Sequence, residues 1–172
     1  MYNNNIQTLT HVIHPFPPLY DKDSKILILG SLPSVKSREQ MFFYGHPQNR
    51  FWKVLAGILG ETIPTNIEEK SAMLHKHHIA LWDTIYSCDI KGSSDSSIKN
   101  VTPTNLKPIL ENSCITKIFC NGATSGKYYK KFQENILDIS ADTLPSTSPA
   151  NAAYSLDKLI DIWSMAIIPW LE

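Results

Sequence analysis

The chain lacks several features that would place it early. It has only three cysteines, Cys88, Cys114 and Cys120, and no CxxC pair. An odd count outside a secreted scaffold reads as free thiols in a reducing cytoplasm. No apolar run approaches the ~20 residues that a membrane span needs, so no membrane partner is expected. The start, MYNNNIQTLTHVIHPF, lacks the basic-then-apolar order of a signal peptide. Internal repeats, low-complexity linkers and a GxSxG elbow are absent too, and the last absence argues against a Ser/His/Asp hydrolase. His75, His77 and His78 stand close together but fall between a helix pattern and a strand pattern. No further Cys or His has matching spacing, so no metal is expected.

Excess charge is also missing. Sixteen basic and 16 acidic side chains give a formal net charge of zero. That argues against a protein held to nucleic acid mainly by bulk charge. Local patches remain open. Residues 30–53 hold Lys36, Arg38, Arg50 and Lys53 against Glu39 alone, and residues 107–131 hold five lysines against Glu111 alone. Scattered, solvated lysines are an equally good reading of that observation.

What is present is 172 residues with 42% hydrophobic side chains, enough for one domain, 1–172, with a sizeable core. Residues 1–23 read as an extended lead-in, because prolines in HPFPP (14–18) fix φ and bias their predecessors away from helix. KILIL at 25–29 is an apolar run without polar alternation, the pattern of a buried strand. Phe51, Leu55, Ile58 and Leu59 share a helix face that Gly60 ends. A second helix is expected from Thr65 or Asn66, each followed three residues later by glutamate. Ile79–Trp82 and Ile115–Cys120 read as further strands, and a weaker one lies between Ile136 and Leu144. Thr102-Pro103 is expected to open a helix that buries Leu106, Ile109 and Leu110, and Ser148-Pro149 another that buries Leu156, Leu159, Ile160 and Trp163. Short strands alternating with helices predict a parallel sheet covered on both faces, with ligands at the carboxyl ends of the strands.

The loops after Leu29, Trp82, Cys120 and Leu144 therefore hold the candidate residues. The first runs from Gly30-Ser31-Leu32-Pro33 through Phe43, Tyr44 and Asn49, and it is aromatic and amide-bearing. An aromatic face can stack on a base, worth ~1–3 kcal/mol. A fixed amide can bond a base edge or a water. The last loop, Pro145-Ser146-Thr147-Ser148-Pro149-Ala150-Asn151, is rich in hydroxyls. At a helix start it would suit a phosphate.

In this order, GSLPS (30–34), GHPQNRFW (45–52), LWDTIYSCDIKGSSDSSIKN (81–100) and LPSTSPAN (144–151) resemble the motifs of the uracil-DNA glycosylase superfamily, most nearly its hypoxanthine-DNA glycosylase branch. The resemblance spans about residues 24–165. It implies a three-layer α/β/α sandwich with a short, mainly parallel central sheet. It also implies an enzyme that flips a deaminated base from double- or single-stranded DNA and cuts its N-glycosidic bond with water, using no metal or cofactor; a monomer is expected. Carried over residue by residue, it implies a base-stacking role for Tyr44, with Phe43 beside it, and a catalytic role for Asn49. Asp83 takes the position, at the end of the second strand, that faces the base. Gly30, Ser31, Leu32 and Pro33 form the first motif, and Asn121 joins them in the base pocket. Pro145, Ser146, Thr147, Ser148, Pro149 and Asn151 form the DNA-contacting loop.

One departure shifts the expected chemistry. Most of the superfamily carries an aspartate or asparagine two residues after the first-motif glycine, and this chain has Leu32. Leucine can neither polarise water nor stabilise a cation, so the burden moves to Asn49. Leu144 stands where uracil-type members carry a histidine. Two rivals remain: a uracil or broad deaminated-base glycosylase, and a non-catalytic binder of damaged DNA. Asn49 could also simply cap a helix, and Asp83 a turn.

Overall fold

The computed structural model describes residues 8–172. Its centre is a four-stranded parallel sheet of order β3-β2-β6-β7, made of β2 (Ile26–Gly30), β3 (Ile79–Asp83), β6 (Lys117–Asn121) and β7 (Ala141–Leu144). Every residue of β2 and β3 is buried, as expected for strands covered on both faces. Helices flank the sheet, which gives the three layers: α1 (Val35–Gln40), α2 (Phe51–Leu59), α3 (Ile67–Lys76), α4 (Lys107–Glu111), α5 (Ala123–Phe132), α6 (Glu134–Leu137) and α7 (Leu156–Leu171). α2 packs against α7, α3 against β3, and α5 along β6 and β7. Asn66 caps α3 by accepting from Glu69 N, and Gly60 ends α2 in the left-handed region, φ 67°.

A second sheet was not foreseen. It is antiparallel, of order β1-β4-β5, from β1 (Leu9–Ile13), β4 (Ile85–Lys91) and β5 (Lys99–Pro103). Only Thr84 separates β3 from β4, so the chain passes from one sheet directly into the other. The extended lead-in thus becomes an edge strand from Leu9 to Ile13. Its residues are mostly exposed and supplied no periodic apolar signal. The earliest part of the lead-in, residues 1–7, lies outside the described residues.

Two helix starts move. Pro103 does not open a helix: it ends β5 opposite Ile85, on an edge where a missing N–H costs least, and α4 begins at Lys107. Ser148-Pro149 does not open the last helix either. That helix begins at Leu156, with Ser155 accepting from Lys158 N. Arg50 is the reason. Its guanidinium donates to the carbonyls of Ser148, Asn151 and Tyr154, and its Nε to that of Thr147. Carbonyls turned toward one side chain cannot line up along a helix axis. Further along, Leu159 and Trp163 are fully buried as expected.

Candidate active site

A cleft of ≈ 330 Å³ opens at the carboxyl ends of the parallel strands. Gly30 closes β2, Asp83 β3 and Asn121 β6, and the loop after Leu144 closes β7. All the candidate residues line it except Pro145 and Asn151, which line an adjoining groove. The sequence reading therefore assembled one site from four loops.

Asn49 sits just before α2. Its Oδ1 accepts from Phe51 N at 2.9 Å and from Thr147 Oγ1 at 2.9 Å. Both lone pairs of the carbonyl are thus occupied, and the backbone donor fixes which side-chain atom is oxygen. The Nδ2 group makes no hydrogen bond among the described residues. The oxygen holds the helix start, and the amide nitrogen is left free on a residue that lines the cleft. Thr147 in turn accepts from Asn121 Nδ2 at 3.0 Å and donates its own N–H to Asn121 Oδ1 at 3.1 Å. Asn49, Thr147 and Asn121 are therefore one rigid network across three loops.

Tyr44 adopts φ 50° and stacks on Phe51, with centroids 3.9 Å apart and 21° between planes. One face is covered, so a base can use only the other. Among the described residues the buried hydroxyl makes no hydrogen bond of good geometry, although the Asn121 side chain lies close to it. Burial pushes the phenol well above its usual range, and the nearby Asp83 carboxylate adds to this, so it stays an O–H. Phe43 is a core residue, edge-on to Phe16 at 4.9 Å.

Asp83 is 4% exposed, and its Oδ2 lies 2.6 Å from His14 Nε2, which is itself buried. Its backbone carbonyl accepts from Thr104 Oγ1 at 2.7 Å. A Cβ at Gly30 would fall 2.4 Å from Asp83 Oδ1, so glycine is required there for the carboxylate to lie against β2. Leu32 lines the cleft and packs on the cluster of Ile85, Cys88, Ile90 and Tyr128. It is a wall anchored in the second sheet. Leu144 is a core residue at the end of β7.

The loop of residues 145–151 is held differently from expectation. It is not a helix start, so the helix-dipole argument for a phosphate grip falls. Ser146 Oγ accepts from Ser148 N, and Ser148 Oγ from Ala150 N, which leaves their O–H groups to donate outward. Arg50 and Arg38 also leave the suggested basic patch. Arg50 staples the loop, and Arg38 reaches under the β4–β5 turn to Gly92 O. His75 pairs with Asp21 and His77 with Glu61.

Two residues of consequence escaped the sequence reading. His14 looked like part of a proline-rich lead-in, and Arg50 looked like a solvated cation. A polar residue between Ile13 and Pro15 was the one local hint at His14, and nothing local hinted at the role of Arg50.

The family profile described as Uracil DNA glycosylase superfamily matches residues 17–166. A relative named hypoxanthine DNA glycosylase from Methanosarcina acetivorans is 32% identical over 145 residues, 83% of this chain and 90% of the relative. A second protein of that name, from Methanosarcina barkeri, is 36% identical over 117 residues, 66% of this chain and 73% of the relative. A solution NMR structure from M. acetivorans, described as a candidate uracil DNA glycosylase, superposes with TM-score 0.78 at 31% identity. It covers 93% of this chain and 99% of that one.

Proposed function

The chain belongs to the uracil DNA glycosylase superfamily, and on that premise we propose that it is a DNA glycosylase that flips out hypoxanthine and hydrolyses its bond to the sugar. The electron pair of the C1′–N9 bond leaves with the purine while the sugar takes on oxocarbenium character. A water oxygen then bonds to C1′. In balance the sugar gains a hydroxyl and the purine a proton. Water is the nucleophile, so the reading needs no cofactor.

The observation that carries this reading is the free amide of Asn49 in a cleft whose first-motif position is the alkyl side chain of Leu32. With Oδ1 occupied by Phe51 N and Thr147, Asn49 can only donate. A fixed N–H donor at the cleft stabilises negative charge developing on the departing base. It does not act as a base toward water. At the first-motif position, Leu32 offers nothing to water, which disfavours the uracil chemistry of relatives. Tyr44 supplies one stacking face, and Asp83 with Asn121 supplies polar contacts to the base edge. Ser146, Ser148 and neighbouring backbone contact the DNA backbone.

We read the chain as one glycosylase domain acting as a monomer on duplex or single-stranded DNA. No described helix is long and apolar enough to cross a membrane. The three free cysteines fit a reducing cytoplasm.

The test is a panel of duplexes carrying inosine, uracil or xanthine, incubated and then treated with alkali. Strand breaks chiefly at inosine are expected. Breaks chiefly at uracil would make this a uracil-type enzyme, and tight binding without breaks a damaged-DNA binder.

A further inference from the structure

Asp83 lines the cleft, yet one of its oxygens is turned away from it, toward a residue the mechanism so far leaves unused. His14 follows β1, and its backbone N–H is held by Tyr86 O at 2.7 Å. Its ring lies in an aromatic cage, 4.2 Å from Trp82 and 4.6 Å from Phe16 by centroids. The side chain is fully buried and does not line the cleft. Among the described residues its Nδ1 has no partner, and Nε2 has Asp83 Oδ2 alone. A buried ring nitrogen without an acceptor nearby is poorly suited to carry hydrogen, so the ring proton belongs on Nε2, aimed at the carboxylate. Asp83 thus receives one donor on Oδ2 and keeps Oδ1 against Gly30, beside the cleft.

We propose that His14 is a positioning residue that holds Asp83 as an acceptor, so that the cleft reads the ring N–H that deamination creates. This rests on the glycosylase reading above. Adenine has a bare lone pair at N1, and hypoxanthine has N1–H. Cytosine and uracil differ in the same way at N3. A flipped base is read on this edge. An acceptor at the cleft floor bonds the deaminated ring nitrogen and opposes the lone pair of the normal one. Without His14, Oδ2 loses its only side-chain donor, and the carboxylate is no longer held with Oδ1 against Gly30. The acceptor would then be misplaced at the cleft, and the preference would fall. His14 would thereby govern specificity without touching the base.

The test compares release of hypoxanthine with release of unsubstituted purine, whose N1 is a bare lone pair, from otherwise identical duplexes. Removing the donor in H14L should lower the hypoxanthine-to-purine ratio roughly 10- to 100-fold, the penalty of one mispaired buried polar group. H14Q, whose amide N–H reaches about as far as Nε2, should restore the ratio to within a few-fold. D83N should lower the ratio similarly, and H14L/D83N should be no lower than D83N, because His14 acts through Asp83. If H14L does not fold, H14N, with its amide one methylene too short, takes its place. An unchanged ratio in a folded H14L or H14N variant overturns the proposal, as do additive effects in the double variant. A wild-type protein that releases neither base overturns the glycosylase reading and this inference with it. A wild-type protein that prefers hypoxanthine, with variants that do too, overturns the inference alone.

Discussion

On one side of the cleft, Asn49, Thr147 and Asn121 hold one another by side-chain hydrogen bonds. On the other, Leu32 and Ile90 rest on an apolar cluster of the second sheet. The first side has direction: the amide oxygens are taken up by their neighbours, and the Nδ2 group of Asn49 is left over among the described residues. The second side has only shape. A polar wall fixed in this way can stabilise charge in one place without reorganising. An apolar wall can exclude water and limit size, and it tolerates change poorly only when a polar group is put into it.

Removing the free amide should break the polar side most severely. Asn49→Ala is expected to lower single-turnover hypoxanthine release on the order of 10²–10³-fold. Asn49→Asp separates the two jobs of the side chain, since it keeps an acceptor for Phe51 N and loses the donor. We expect it to be as inactive as alanine while melting closer to wild type, and an active Asn49→Asp would remove the donor role.

Next in size is the staple. Arg50→Met leaves the carbonyls of Ser148, Asn151 and Tyr154 without their donor. Bonds to a charged group are worth about 1.5–3 kcal/mol, so urea unfolding should show a loss in that range. DNA affinity should fall more than the chemical rate. Equal stability would mean that the 147–154 loop holds itself.

Tyr44 lines the cleft with its ring stacked on Phe51. Tyr44→Ala should weaken retention of the flipped base by ~1–3 kcal/mol, measured by competition with abasic duplex. Tyr44→Phe should be mild, because the hydroxyl makes no hydrogen bond of good geometry among the described residues. Phe and Ala variants equally impaired would assign the role to the hydroxyl and end the stacking interpretation.

The smallest effect is expected on the apolar side. Leu32→Asn puts an amide at the wall, and uracil release relative to hypoxanthine release should rise several-fold, the worth of one hydrogen bond of about 1 kcal/mol. The neighbours of Leu32 offer no partner, so some stability is lost, and the two activities must be compared as a ratio at equal folded fraction. An unmoved ratio would show that Leu32 is a wall and nothing more.

Sequence by itself determined the parallel sheet, the loops that border the cleft and 13 of its 20 lining residues, while Ile90, Ser93 and Asp95 entered with the second sheet and its turn. These are legible because burial imposes local patterns: the unbroken apolar runs of β2 and β3, the i, i+4 face of α2, and loops that follow each strand. The second sheet was not legible, because β1 is an exposed edge strand and β4 follows β3 after a single residue. Nor was the start of α7, where Ser148-Pro149 has local helix-start chemistry that Arg50 overrides from a distance. Tertiary structure alone decided the polarity of the site. Asn49 presents nitrogen rather than oxygen because Thr147, 98 residues away, bonds its carbonyl. Asp83 keeps one oxygen against Gly30 because His14, 69 residues away, holds the other. Such bonds join single side chains across the fold and repeat with no period, so nothing along the chain announces which lone pair they will occupy.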